Sequence, residues 1–258
     1  MLEDDFTWVV RKALKGLALA PGEAALRAGL PESDVIAFCR GRFSAEIARR
    51  LAPCLGLDPV ALENHPNYQP APVELPAIRQ LDMPFGDGQV NAWRVRPGNK
   101  QVLFDTGADG DRLLAELCGA LPDMVLITHG HSDHVGGLER LAERGVECWG
   151  VGCQRELDPG EILRAGGSNI HVLDLSGHAS PALGFLIEGL GVPVLIAGDA
   201  IFAGSIGGCP TPEAYRHALV GLKRIIGELP PETVILPGHG PATTVAEERH
   251  SNPFFAEN

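Results

Sequence analysis

No apolar run in this 258-residue chain approaches the roughly 20 residues that cross a bilayer; the longest, such as 123–128 and 191–198, are far shorter. A membrane-spanning helix is excluded, and no membrane partner is expected. A basic start followed by an apolar stretch is also lacking, because Met1 precedes Leu2, Glu3, Asp4 and Asp5. That is not a secretory signal, and the expected location is cytoplasmic. Paired C-x-x-C spacing is missing from the six cysteines, Cys39, Cys54, Cys118, Cys148, Cys153 and Cys209. Neither a zinc knuckle nor a disulfide framework is suggested, and Cys148 and Cys153, the closest pair, are expected to be ordinary thiols. Basic residues are few: 21 Lys and Arg against 33 Asp and Glu give a net charge of -12. Chain-wide binding to nucleic acid or an anionic surface is thereby excluded. The remainder, 45% hydrophobic and 21% charged, is ordinary globular material, sufficient for one large domain or a medium domain with a small appendage.

The texture changes near residue 70. Before it, Phe6, Val9, Val10, Ala13, Leu14 and Leu17 recur at helical spacing. Helical segments are predicted over 22–30 and 31–40, broken at Gly29-Leu30-Pro31, and a fourth helix follows Ser44 as its cap. The turn-rich stretch 64–72 reads as a linker. The expected domains are therefore a helical unit, 1–70, and a second unit, 71–258. The run E-A-A-L-R-A-G-L-P-E-S-D-V-I-A-F-C-R-G at 23–41 resembles the helix-turn-helix core of the Cro and phage-repressor family. That resemblance implies a second helix that enters a DNA major groove. Residues 1–70 carry eight Lys and Arg against nine Asp and Glu, although Arg40, Arg42, Arg49 and Arg50 cluster around a single acid, Glu46. A local phosphate contact and a plain packing or homodimerisation module are both open readings.

From residue 73, short β-like runs alternate with Gly, Pro and Asp turns, the pattern of a mixed α/β unit. Strands are predicted at 77–81, 89–96, 101–104, 124–127, 146–149, 171–173, 182–187, 194–197 and 233–236. The clearest helix is 211–229, capped by Thr211, with Tyr215, Ala218, Leu219, Leu222, Ile225 and Ile226 in its apolar stripe.

The run Met124-Val125-Leu126-Ile127 leads into T-H-G-H-S-D-H at 128–134, which puts three imidazoles and a carboxylate within six residues. Core packing does not explain such crowding. His129 and His131, two apart in an extended segment, project to one side and can grip one cation, while Asp133 and His134 can serve a second. Further ligands must come from elsewhere. His178, Asp199 and His239 each lie beside glycine after a β-like run, where scaffolds deliver functional residues.

The order H-x-H-x-D-H, then H, D and H, is similar to that of the metallo-β-lactamase fold hydrolases over 75–255. The resemblance implies an αββα sandwich, here preceded by the small all-α helix-turn-helix-like domain. It assigns His129, His131 and His178 to one metal, Asp133, His134 and His239 to a second, and Asp199 to both. Asp105, in F-D-T-G at 104–107, would support the ligand loop. A shared aspartate is unlike the true β-lactamases. The segments G-D-A-I-F-A-G-S-I-G at 198–207 and G-H-G-P-A-T-T at 238–244, with Glu247, Glu248 and Asn252-Pro253-Phe254, resemble the glyoxalase II thioester hydrolases. Two features depart from that group. Gly208 and Cys209 stand where a basic residue often binds glutathione, and only three residues follow Phe255, leaving no C-terminal helical domain.

The implied reaction is hydrolysis of an acyl thioester such as S-D-lactoylglutathione. Two divalent cations, zinc first and iron or manganese next, would share a water acidified to hydroxide, with Asp133 orienting it. Alternatives within the fold are a persulfide dioxygenase with one iron and a lactonase. An alternative of another class is a DNA-binding regulator whose metal domain senses a metabolite. His65, His171, His217 and His250 fall outside the motif and read as structural or surface residues.

Overall fold

The apolar stripe of the first helix, α1 (Phe6–Gly16), is buried through Phe6, Val9, Val10, Ala13 and Leu14. Asp5 caps it, its carboxylate accepting the amide N–H of Thr7 and of Trp8. In the computed structural model, which describes residues 1–256, four further helices follow: α2 (Pro21–Ala28), α3 (Glu32–Cys39), α4 (Ala45–Leu51) and α5 (Pro59–Asn64). Gly29 turns the chain between α2 and α3 at φ 63°, a conformation that favours glycine. Ser44 and Asp58 cap α4 and α5. Tight turns at Ala52–Leu55 and His65–Asn67 complete the helical segment.

The rest of the chain alternates strands and helices. In order they are β1 (Ile78–Phe85), β2 (Gly88–Val95), β3 (Val102–Phe104), α6 (Gly110–Leu117), β4 (Met124–Ile127), α7 (Ser132–Val135), α8 (Leu138–Ala142) and β5 (Cys148–Gly150). Next come β6 (Ile162–Ala165), β7 (Ser168–Asp174), β8 (Leu183–Glu188), β9 (Val194–Gly198), β10 (Ile201–Phe202) and β11 (Ser205–Ile206). The last elements are α9 (Pro212–Glu228), β12 (Val234–Pro237), β13 (Thr243–Thr244) and α10 (Val245–Ser251). One sheet has the order β1-β2-β3-β4-β5 and the other β13-β12-β9-β8-β7-β6, with β10 and β11 a separate hairpin.

The period-2 alternation of strand side chains sorts the core into layers. Trp93, Val95, Phe104 and Leu126 of the first sheet meet Phe185, Val194, Ile196 and Leu236 of the second in a cluster between the sheets. Their neighbours Ala92, Leu103, Val125 and Ile127 point the other way, against Leu113 and Leu117 of α6 and Leu141 of α8. On the far side, Leu195, Ala197 and Ile235 face α9 and the N-terminal helices. The result is an αββα sandwich. The change of texture near residue 70 is not a packing boundary: Phe6, Val10, Phe38 and Leu51 share one continuous apolar cluster with Tyr215, Leu222 and Ile226 of α9.

The predicted strands all fall on observed ones. Missed were β6, the β10–β11 hairpin, β13, and the helices α5, α6, α7, α8 and α10. β1 runs through Pro84, which an edge strand tolerates because one side of it needs no hydrogen bonds. One expectation is corrected. Cys148 and Cys153 are joined as a disulfide, because the chain turns back through Gly150 and Gly152, both at positive φ, and brings their Cα atoms within 5.5 Å.

Candidate metal centre

Four chain segments converge at one end of the sandwich because the strands feeding them end there. β4 delivers residues 128–134, β7 the loop with His178, β9 Asp199, and β12 the loop with His239. β9 and β12 are parallel neighbours, and the Leu183 amide at the start of β8 donates to Thr128 O (2.7 Å) across the sheets. All seven residues proposed from the sequence as ligands lie together. His129, His131, His178 and Asp199 form one group and Asp133, His134 and His239 another, the ligand-type atoms within each group lying within 4.8 Å of one another.

The Asp199 carboxylate touches both groups. Its Oδ2 lies 3.4 Å from His178 Nε2, 3.9 Å from His129 Nε2 and 3.5 Å from His239 Nε2, while Oδ1 lies 3.3 Å from His134 Nε2. Asp133 Oδ2 is 3.3 Å from His239 Nε2 and 3.8 Å from His134 Nε2. The approach is tight enough that a Cβ at Gly238 would fall 2.1 Å from Asp199 Oδ1.

Four outward ring nitrogens meet an acceptor, and this sets their tautomers. His134 Nδ1 donates to Asp105 Oδ2 (2.8 Å), His178 Nδ1 to Gly208 O (2.9 Å) and His239 Nδ1 to Gln89 O (2.7 Å). Thr128 donates its amide to Asp105 Oδ1 and its hydroxyl to Oδ2, both at 2.8 Å, so that hydroxyl accepts from His129 Nδ1 at 3.0 Å. With one proton held on Nδ1, each of these four rings in its neutral form presents a bare Nε2 to the centre. His131 presents Nδ1, 3.1 Å from both His129 Nε2 and His178 Nε2. Lone pairs and carboxylates thus face one another with few donors between them. His134 Nε2 and Asp199 Oδ1 are buried without any hydrogen-bond partner. Burial of such acceptors is costly, and a divalent cation in each group would relieve it, so the donor set fits two cations of the borderline kind that take imidazole and carboxylate together.

The electrostatics agree. Burial is the largest influence on His134 and opposes its charge, yet Asp105 and Asp199 together carry its pKa up to about 10. At His239 burial is again outweighed, here by Asp133 and Asp199, and the pKa rises to about 11. Burial, reinforced by His134, drives His129 down to about 4. The centre attracts positive charge overall, but not as a proton on every ring.

Asp105 lies where the sequence resemblance places it, beneath the ligand loop, bonded to Thr128 and His134. Thr106 adds a second tie, its hydroxyl donating to His134 O at 2.9 Å. The His239 loop is held by residues that sequence reasoning missed: Asn91 Nδ2 donates to Pro237 O (3.0 Å) and Gly240 O (2.8 Å), and Trp93 Nε1 to Pro237 O (2.7 Å). Nothing local marks a strand asparagine as a brace for a loop nearly 150 residues away. His65 is buried and bonded to Gly204 O, while His171 and His217 sit beside Glu188 and Asp174, away from the centre.

A family model described as the metallo-beta-lactamase superfamily matches residues 85–152. Over 185 residues the chain is 30% identical to hydroxyacylglutathione hydrolase GloC of Haemophilus influenzae, a match spanning 60% of this chain and 86% of that protein. It is 25% identical over 203 residues to the probable metallo-hydrolase YqgX of Bacillus subtilis, spanning 67% of this chain and 95% of the relative. Among solved structures, TTHA1623 in a di-iron-bound form aligns with a TM-score of 0.55 at 30% identity, covering 67% of this chain and 99% of the other.

Proposed function

Given that the chain belongs to the metallo-beta-lactamase superfamily, we propose that it is a hydrolase of acyl thioesters related to hydroxyacylglutathione, working with two divalent cations. The observation that carries the two-cation reading is the Asp199 carboxylate, with one oxygen toward His134 and the other toward His129, His178 and His239. The choice of a thioester is supported by similarity to GloC and by the Asp199–Gly207 segment.

On this reading His129, His131 and His178 hold one cation, Asp133, His134 and His239 hold the other, and Asp199 serves both. When bound, such cations act as Lewis acids that make water a nucleophile near neutral pH and polarise a carbonyl. The protein supplies the rest. His129 and His134 form a closed floor, 1% and 0% exposed, whereas the side chains of His178, His239 and Asp133 are 22%, 12% and 11% exposed and border the mouth. Substrate and water therefore enter from that side. Asp133, the more exposed carboxylate, orients the attacking water and accepts its proton as the water oxygen bonds to the acyl carbon. The carbon–sulfur bond then breaks, releasing a carboxylic acid and a thiolate, and the proton held by Asp133 passes to the departed sulfur or to solvent. A thiolate, with an ordinary pKa near 8.5, leaves without first being protonated.

Metal analysis of the purified protein, paired with thiol release from a panel including S-D-lactoylglutathione, tests the proposal. Two zinc, iron or manganese ions per chain with thioesterase activity are expected. One iron per chain with sulfite formed from glutathione persulfide would replace it with a dioxygenase, and activity confined to lactones would replace it with a lactonase. Regulation through DNA is the rival of another class. Arg49 is paired with Glu63, Arg50 is spent on the carbonyls of Ala28 and Gly29, and the outer part of α3 carries Glu32 and Asp34. A mobility shift on random DNA at low salt is expected to be negative.

A further inference from the structure

The N-terminal helices reach the loops of the metal centre, and Lys12 makes the contact nearest His178. Lys12, on α1, donates its ammonium to Ile206 O at 2.8 Å and pairs with Asp4. The ammonium also lies 4.9 Å from the centroid of the Phe202 ring, a favourable cation–π position, and that ring is 5.9 Å from His239. The pair is enclosed, with side chains 14% and 6% exposed.

Ile206 begins the loop that orients His178. Two residues on, Gly208 O accepts from His178 Nδ1 at 2.9 Å. Between them the backbone is wedged against the centre: a Cβ at Gly207 would lie 1.8 Å from Asp199 O and 2.9 Å from His178 Cβ. On its outer side the loop rests on α1, where the open position at Gly208 is 3.7 Å from Lys12 Cε. The segment ahead of α1 touches the other ligand loop, since a Cβ at Gly240 would meet the Glu3 backbone nitrogen at 3.1 Å.

We propose that Lys12 is a positioning residue of the metal centre, holding the Ile206–Gly208 loop so that His178 presents Nε2 to the cation shared with His129 and His131. The helical segment is thereby part of the hydrolase's working scaffold. This inference rests on the two-cation reading above. A ring whose outer hydrogen bond is loosened loses both its tautomer and its aim, and outer partners of this kind are commonly worth about 10–100-fold in metal affinity or activity.

Lys12→Met removes the ammonium but leaves Asp4 as a buried unpaired carboxylate, so the informative variant is the double one, Asp4→Asn with Lys12→Met. Chelator competition with zinc and the visible spectrum of the cobalt(II)-loaded protein are measured for wild type, the double variant, Lys12→Arg and His178→Ala. For a double variant with wild-type circular dichroism, the expected result is loss of about 10–100-fold in affinity for one of two metals and an altered cobalt spectrum. Lys12→Arg, which can still donate to Ile206 O, is expected to recover most of the affinity. A folded double variant with both metals bound at wild-type affinity and an unchanged spectrum overturns the role of Lys12. If His178→Ala also leaves affinity and spectrum unchanged, the two-cation reading itself fails.

Discussion

Asp105 Oδ2 accepts a hydrogen bond from His134 Nδ1 at 2.8 Å, and both side chains are buried. The carboxylate leaves the ring only its Nε2 lone pair to offer the centre. Asp105 itself has φ 57°, a left-handed conformation that asparagine also tolerates, so Asp105→Asn is a clean perturbation. With its amide oxygen accepting from Thr128 N, the new NH2 faces His134 and favours the wrong tautomer. A loss of about 10–100-fold in metal affinity is expected with little change of fold, measured by chelator competition and circular dichroism. Unchanged affinity would show that Asp105 does not set the ring.

On the two-cation reading Asp199 is a shared ligand and His134 a private one. His134→Ala removes a member of one group and is expected to reduce bound metal from two ions to one. Asp199→Asn weakens both groups, and both ions should be lost on dialysis, with activity falling by more than about 100-fold, beyond the usual effect of an outer partner. Elemental analysis after dialysis reads the difference.

Glu248 makes a pH-dependent contribution outside the centre. Fully buried, it accepts from Tyr68 OH, Thr243 Oγ1, Asn252 Nδ2 and the Gly204 amide. Burial pushes its pKa up from 4.5 to about 7, although those four donors pull the other way. The folded chain holds this proton more tightly than the unfolded one. Its contribution is therefore fully present below about pH 4.5 and is lost as pH rises to about 7, a difference of about 3 kcal/mol. Urea midpoints of wild type and Glu248→Gln should converge in acid and diverge above pH 7, with the glutamine variant relatively favoured at high pH.

The packing of α1 on α9 makes a fourth prediction. A Cβ at Gly16 would lie 2.2–2.5 Å from three Tyr215 ring carbons, and that ring is 2% exposed. Gly16→Ala forces the helices apart and should cost about 1–3 kcal/mol. Because the helices and α9 share one apolar cluster, the loss should lower a single unfolding transition. A separate early transition for residues 1–70 would contradict the shared core.

The residues that cluster at the centre were legible because histidine, aspartate and glycine at the ends of apolar strands have few other physical explanations. His178, Asp199 and His239 could be read from that context one at a time. Contacts between distant segments could not. The stripe Phe6, Val9, Val10 and Ala13 says that a face is covered without saying that Tyr215 and Leu222 cover it. Lys12 looks like any helix-surface lysine until Ile206 O is found against it. α7 has four residues, too few for a helical period to register. The Cys148–Cys153 link depends on a turn at two glycines that C-x4-C spacing alone does not specify.

The cluster common to the N-terminal helices and α9 also has a temporal side. The helices from Phe6 to Asn64 are synthesised first, while α9 begins at Pro212, about 150 residues later. At typical ribosomal speeds that interval is roughly 10–30 s. Through it, the face bearing Val9, Val10, Phe38 and Leu51 has left the ribosome before its permanent cover exists. The nascent chain must therefore keep an oily surface harmless until the second half of the sandwich arrives, an exposure of the kind that invites chaperone binding or aggregation.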